Sequence, residues 1–329
     1  DVRLSSPDRV YFPARGETKR DLAEYYLAVG DGVLRALRER PTMLHRFPKG
    51  VSGAKVHQKR LPKGAPDWVE TVRLHFPRYD LHADELCPTE PASLVWAAQM
   101  GTLTFHPWPV RRPEVDHPDE LRIDLDPQPG TDFADAQRVA AGAKDLLEEL
   151  GLRGYPKTSG NRGIHVYVRI EPRWSFEELR HAAIGFGREL ERRDGGVTTA
   201  WWKEERGERI FIDFNQNNRD RTIAGAWSLR ACPGAPVSTP MTWDQLAEVT
   251  DPAAYNITTV LDHLADDPWA DMDERAYSLE PLLELWESLP GGELNFPPDY
   301  PKMPGEPPRV QPSKKVAEHW DEDGNRIEG

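Results

Sequence analysis

The chain has 329 residues, 38% of them hydrophobic, and a net charge of −13, enough length and apolar content for one large or two smaller soluble domains. It contains no run of about 18 apolar residues and no charged-then-apolar leader, so membrane insertion and secretion are not suggested and a cytoplasmic location is expected. The two cysteines, Cys87 and Cys232, lack CxxC spacing, which leaves a zinc site or disulfide framework without support.

Taken in order, Thr18 and Asp21 predict a helix start, and Leu22, Tyr25, Tyr26, Val29, Val33, Leu34 and Leu37 follow at helical spacing. The apolar runs MLHRF, TVRLHF and GTLTFH, separated by Pro and Gly, read as strands and turns rather than further helices. From residue 120 a strand (LRIDLD), a turn, a helix over about 132–150, a strand around 152–157, a loop, a strand (IHVYVRI), a helix over about 175–193 and a strand (RIFIDF) succeed one another. That alternation predicts an α/β (α+β) fold with helices packed on mixed or antiparallel sheets. Short acidic helices are expected at 242–249 and 278–288, and a proline-rich extended tail over 290–329. The catalytic domain is thus expected over 1–289: a basic part to about 115, a catalytic sheet over about 116–235 and an acidic helical flank over about 240–289.

The charge is unevenly spread. Residues 241–300 hold fourteen Asp and Glu but one basic residue, Arg275, and the remainder of the chain balances. Residues 1–80 hold sixteen Lys and Arg against ten Asp and Glu, so an acidic total is compatible with a local basic surface for nucleic acid.

Successive strand residues face opposite ways, so Asp124 and Asp126 share one face and Ile123 and Leu125 the other. In IFIDF, Asp213 falls among apolar residues. An unpaired buried acid is costly, and hard cations such as Mg²⁺ and Mn²⁺ prefer oxygen ligands. Two such ions about 3.5–4 Å apart can hold the attacking and leaving oxygens of a phosphoryl transfer. A lone DxD is more often a solvated turn; the third acid changes that reading.

Between the acidic strands lies Thr158-Ser159-Gly160-Asn161-Arg162-Gly163-Ile164-His165. Its glycines permit close backbone approach to a ligand and its amides an anion nest, with Ser159 and His165 as further donors. It is not a Walker loop, because no GK[ST] follows. Arg46, Lys59, His106 and Arg230 each adjoin an expected strand and add donors for a triphosphate. Singly, each is more often a structural or surface residue.

With DLD, SGNRGIH and IDF in this order, the chain resembles the polymerase domain of bacterial DNA ligase D, within the archaeo-eukaryotic primase superfamily. It is most similar to stand-alone mycobacterial primase-polymerases, over roughly residues 3–288. The resemblance implies a primase-like core that adds nucleotides to a primer 3′-hydroxyl with two divalent metals, Mn²⁺ or Mg²⁺, and prefers ribonucleotides. By motif position it implies that Asp124, Asp126 and Asp213 are catalytic metal ligands. Ser159, His165 and Arg230, with Arg46, Lys59 and His106, would bind the nucleoside triphosphate. Arg9 and Lys19, in LSSPDRVYFPARGETKRDL, would hold the 5′-phosphate of a downstream strand. Gapped or primer-template DNA and a separate ATP-dependent DNA ligase are the partners implied.

Three departures stand out. Ser6 and Arg9 replace the usual Asn and Lys, Val56 and His57 replace a usual Phe pair, and a ligase or nuclease domain is not expected to follow. The competing readings are a metal-dependent nuclease or phosphohydrolase, which would shorten rather than extend a primer, and a non-catalytic DNA-end binding module, indifferent to metal.

Overall fold

A computed structural model describes residues 1–76, 81–264 and 267–294. The first third comprises the hairpin β1 (Val10–Phe12) and β2 (Glu17–Thr18), helices α1 (Lys19–Ala28) and α2 (Gly30–Leu37), and strands β3 (Thr42–Arg46), β4 (Val56–Gln58), β5 (Thr71–Phe76) and β6 (Leu81–Leu86). It closes with α3 (Pro91–Gln99) and β7 (Thr102–Pro107). Next come β8 (Glu120–Pro127), α4 (Phe133–Glu149), β9 (Tyr155–Thr158), β10 (Ile164–Arg169), α5 (Phe176–Arg193), β11 (Val197–Thr198), α6 (Lys203–Arg206) and β12 (Ile210–Ile212). The acidic flank supplies α7 (Trp243–Glu248) and α8 (Glu280–Ser288). The proline-rich tail expected over 290–329 lies, from residue 295 onward, outside the described residues. No helix among the described residues is long and apolar enough to cross a membrane.

The result is the mixed α/β fold expected. One sheet runs β4-β3-β6-β5, with β7 also paired to β3; the other runs β11-β12-β8-β10-β9, antiparallel except for the β11–β12 pair. Strand alternation gives the second sheet two unlike faces. Leu121, Ile123, Leu125, Ile164, Val166, Val168, Ile210 and Ile212 pack in one core with Val139, Leu146 and Phe186 of α4 and α5. Tyr155 and Tyr167, on the opposite face, join the core of the N-terminal lobe with Tyr26, Phe105 and Leu229. The polar residues of that second face are therefore enclosed between the sheet and the lobe. Capping boxes, Asp132 with Asp135 and Ser175 with Glu178, start the two covering helices and stabilise each by about 1 kcal/mol.

Two differences from the sequence reading have local causes. The helix expected from Thr18 to Leu37 starts with the anticipated capping box but breaks at Val29, with φ −87° and ψ 7°. Gly30 and Gly32 are poor helix formers, and Gly32 is required: a Cβ there would stand 2.5 Å from the Trp227 indole nitrogen. Helix α3 falls where only strands and turns were expected. Its sequence PASLVWAAQ is apolar on nearly every side, so no helical stripe marks it.

A buried ion network fixes β8. Arg40, fully buried, is bidentate to Asp119 and pairs with Glu120 at 2.8 Å; Arg169 contacts both acids, and Arg122 holds Glu120 at 2.7 Å. Burial opposes the two carboxylates' charges, but the arginines prevail and keep both below the ordinary carboxylate range. Removing one member would strand a buried charge, at a cost of about 3–5 kcal/mol.

Candidate active site

The site lies along one cross-strand row. In the register of β9, β10 and β8, Lys157 pairs with His165 and His165 with Asp124. The row continues past β12, where the Asp213 amide donates to the Asp124 carbonyl at 3.1 Å. Asp126 follows Asp124 on the same face, opposite Phe211. All three acids thus meet at one end of the sheet.

Their surroundings are restrictive. Burial raises the Asp124 carboxyl well above the usual range, and Asp213 and Asp126 push the same way against Lys157 and Arg230. Burial also raises Asp213. Two of the acids have protein donors, Asn215 N (3.1 Å) and Gln216 Nε2 (2.8 Å) on Asp213 and Gln128 Nε2 (3.1 Å) on Asp126, while His165 Nε2 stands 3.4 Å from Asp124, too far for a normal hydrogen bond. Among the described residues no three His, Cys, Asp or Glu side chains form a ready-made metal cage. The donor chemistry nevertheless fits a hard divalent cation: the acids offer only oxygen, and their mutual repulsion is what a cation would relieve.

Ser159 organises the loop before β10. Its Oγ accepts from Asn161 N (3.2 Å) and Gly163 N (3.1 Å), so two amides of the expected anion nest are already used. The hydroxyl proton remains for a ligand. Gly160 has φ +70°, and a Cβ there would come within 2.5 Å of Arg230 Cγ, which shows how closely loop and arginine pack. Arg230 forms no side-chain hydrogen bond or ion pair among the described residues, and burial lowers its pKa. A half-buried guanidinium facing Asp124 without a partner is a ready anion receptor.

The remaining sequence candidates divide. His106 is buried, with neither ring nitrogen hydrogen-bonded in normal geometry, although the Thr222 backbone weakly favours its protonated form. It lies 3.7 Å, ring centre to ring centre, from His45, which stacks on exposed His57 at 4.6 Å. Burial and then the neighbouring cations, Arg230 among them, lower His45 to about 3 and hold His106 well below its ordinary value. Arg46 is directed elsewhere: Nε donates to the Met100 carbonyl at 3.0 Å, Nη1 binds Gln58, and its charge, after burial and Arg9, helps depress Lys19. It groups with the N-terminal cations rather than with Arg230. Lys59 is exposed, 5.6 Å from the centre of the Phe76 ring. Arg9 donates to the Pro48 carbonyl at 2.7 Å, and buried Lys19 to the Ser5 carbonyl at 2.9 Å.

Sequence reasoning passed over Lys157. Its Nζ is fully buried, 2.7 Å from His165 Nδ1 and hydrogen-bonded to Ser238 Oγ. A lysine in a four-residue strand buried throughout was the available signal.

A family model described as LigD, primase-polymerase domain, matches residues 18–269. The chain belongs to the LigD primase-polymerase domain family. It is therefore a member of a nucleotidyltransferase family. The multifunctional non-homologous end joining protein LigD of Pseudomonas aeruginosa is 33% identical over 283 residues, 82% of this chain and 32% of that protein. Its namesake from Mycolicibacterium smegmatis is 32% identical over 250 residues, 75% of this chain and 32% of that protein. The chain thus spans about a third of the length of these LigD relatives. The polymerase domain of Mycobacterium tuberculosis ligase D, solved in complex with DNA, superposes with a TM-score of 0.77 at 29% identity, covering 84% of this chain and 99% of that one.

Proposed function

We propose that this LigD-type primase-polymerase adds nucleotides, ribonucleotides preferentially, to a primer 3′-hydroxyl at short gaps or DNA ends during repair. The observation that carries the reading is the meeting of Asp124 and Asp213 across adjacent strands, with Asp126 beside them and an unpaired Arg230 opposite. Residues 1–289 act as one catalytic unit, in which the basic N-terminal part serves the DNA.

Asp124, Asp126 and Asp213 hold two divalent ions, Mn²⁺ or Mg²⁺, which when bound activate the attacking oxygen and offset charge on the leaving group. The bond formed joins the primer O3′ to the α-phosphorus; the bond broken frees pyrophosphate. Ser159 donates its hydroxyl and Arg230 its guanidinium to the triphosphate, with His165 and His106 beside them, and Lys59 at the outer edge. Burial makes the enclosed donors, all but Lys59, stronger than they would be in water. Arg9 and Lys19 receive the 5′-phosphate across the gap, and Arg46 adds to their field. Filling the gap leaves a nick, for which a DNA ligase is the partner required.

The test is extension on one-nucleotide gaps with and without a 5′-phosphate, with ribo- or deoxyribonucleotides in Mn²⁺ or Mg²⁺. Faster ribonucleotide addition on the phosphorylated gap is expected. Primer shortening, or no reaction in either metal, would overturn the reading.

A further inference from the structure

We propose that Lys157 is a positioning residue that fixes His165 in its Nε2–H tautomer, so that the imidazole presents a hydrogen-bond donor at the Asp124 centre. What the donor serves rests on the polymerase reading above; the tautomer does not.

The direction of each bond follows from counting protons. Ser238 Oγ donates its only hydrogen to the Thr158 carbonyl at 2.9 Å, so towards Lys157 it can only accept. Lys157 Nζ therefore donates to Ser238 and lies 2.7 Å from His165 Nδ1. An ammonium has no lone pair. As an ammonium, Lys157 therefore donates to Nδ1 as well, and the ring proton of His165 stands on Nε2.

That proton is not consumed. Nε2 lies 3.4 Å from Asp124 Oδ1, beyond the usual 2.7–3.2 Å range for N–H···O. It faces the same space as Arg230, whose charge His165 feels, and leaves a donor for a phosphate oxygen next to the acids. Lys157 itself is sealed away: it has no exposed surface, and Nζ lies 5.7 Å from the centre of the Tyr167 ring. It orients the donor without touching a ligand, as an outer-sphere partner orients a ligating histidine.

The experiment uses the full chain with ¹⁵N-labelled histidine and long-range ¹H–¹⁵N correlation, the His165 signal being assigned by its loss in His165→Asn. The wild type should show a protonated Nε2 and a bare Nδ1. Lys157→Met, similar in length but without a donor, should give a mixed tautomer pattern and raise the KM for nucleoside triphosphate about tenfold, the low end for loss of an outer partner, with kcat within about twofold. If that variant does not fold, Ser238→Ala frees Nζ from its second anchor and should raise KM in the same direction by a smaller factor than loss of the outer partner itself. A wild-type Nδ1–H pattern, or an unchanged pattern and KM in the variant, would overturn the proposal. Should the wild type show the Nε2–H pattern but extend no primer, the polymerase reading fails and the Lys157–His165 arrangement stands.

Discussion

Asp213 faces Asp124 across two adjacent antiparallel strands, its amide 3.1 Å from the Asp124 carbonyl. The backbone bond that continues the β8–β12 ladder is therefore also what brings two distant carboxylates together. The scaffold spends stability to hold them in place, since burial and mutual repulsion both oppose the Asp124 charge.

Asp124→Asn should consequently expose a trade-off. The neutral isostere removes a buried like charge, so thermal stability should rise while primer extension disappears. Calorimetry and extension on one preparation check it; a lower melting temperature would contradict the electrostatic account.

Gly160→Ala combines two penalties. A left-handed φ of +70° costs a residue with a Cβ about 1–2 kcal/mol, and the new methyl would displace the Arg230 stem. Misplacing a substrate-binding group by about 1 Å can cost on the order of a hundredfold. The expected outcome is a less stable enzyme with an NTP KM raised about tenfold or more, whereas alanine at the nearby exposed Asn161 should be mild. Steady-state kinetics of both variants decide.

Away from the acids, Glu85 on β6 should make stability depend on pH. Burial pushes its carboxyl up from 4.5 to about 8, against the pull of Lys59, and neither oxygen accepts a hydrogen bond of normal geometry among the described residues. Between those pH values the folded state keeps a proton that the unfolded state has lost. Stability is fully present below about pH 4.5 and falls as pH rises towards 8, by an amount on the order of 4 kcal/mol for this group. Glu85→Gln should remove that slope, so urea unfolding should show a larger gain for the variant at pH 8 than at pH 5. Equal gains at both would count against it.

Lys19→Met should abolish discrimination for a downstream 5′-phosphate while leaving extension on an open primer-template near the wild-type rate. Lys19 is buried among Arg9 and Arg46, so its loss weakens an anion pocket, not the acid centre. Rates on paired gaps with and without the phosphate read this directly.

The sequence disclosed some of this architecture and hid the rest for physical reasons. The shared face of Asp124 and Asp126 follows from strand alternation alone, as does the opposing apolar face that packs against α4 and α5. The pairing of Asp213 with Asp124, and of Lys157 with His165, depends on register between strands, which no local pattern carries. Family likeness supplied the first pairing in advance; the second was signalled only by a lysine within a short strand. Arg46 adjoins a strand as expected, but its side chain turns towards Met100 and the N-terminal cations. Strand proximity constrains where a residue lies, not which pocket it enters. Helix α3 escaped notice because a helix buried on most sides has no stripe.

The most direct test of the three-acid centre is a double-mutant cycle in single-turnover primer extension, comparing Asp124→Asn, Asp213→Asn and the combined variant. If the two carboxylates serve one centre, each single change should slow extension by roughly a thousandfold or more, and the pair should cost little beyond either alone. Extension surviving in Asp213→Asn, or two losses that multiply, would contradict the account.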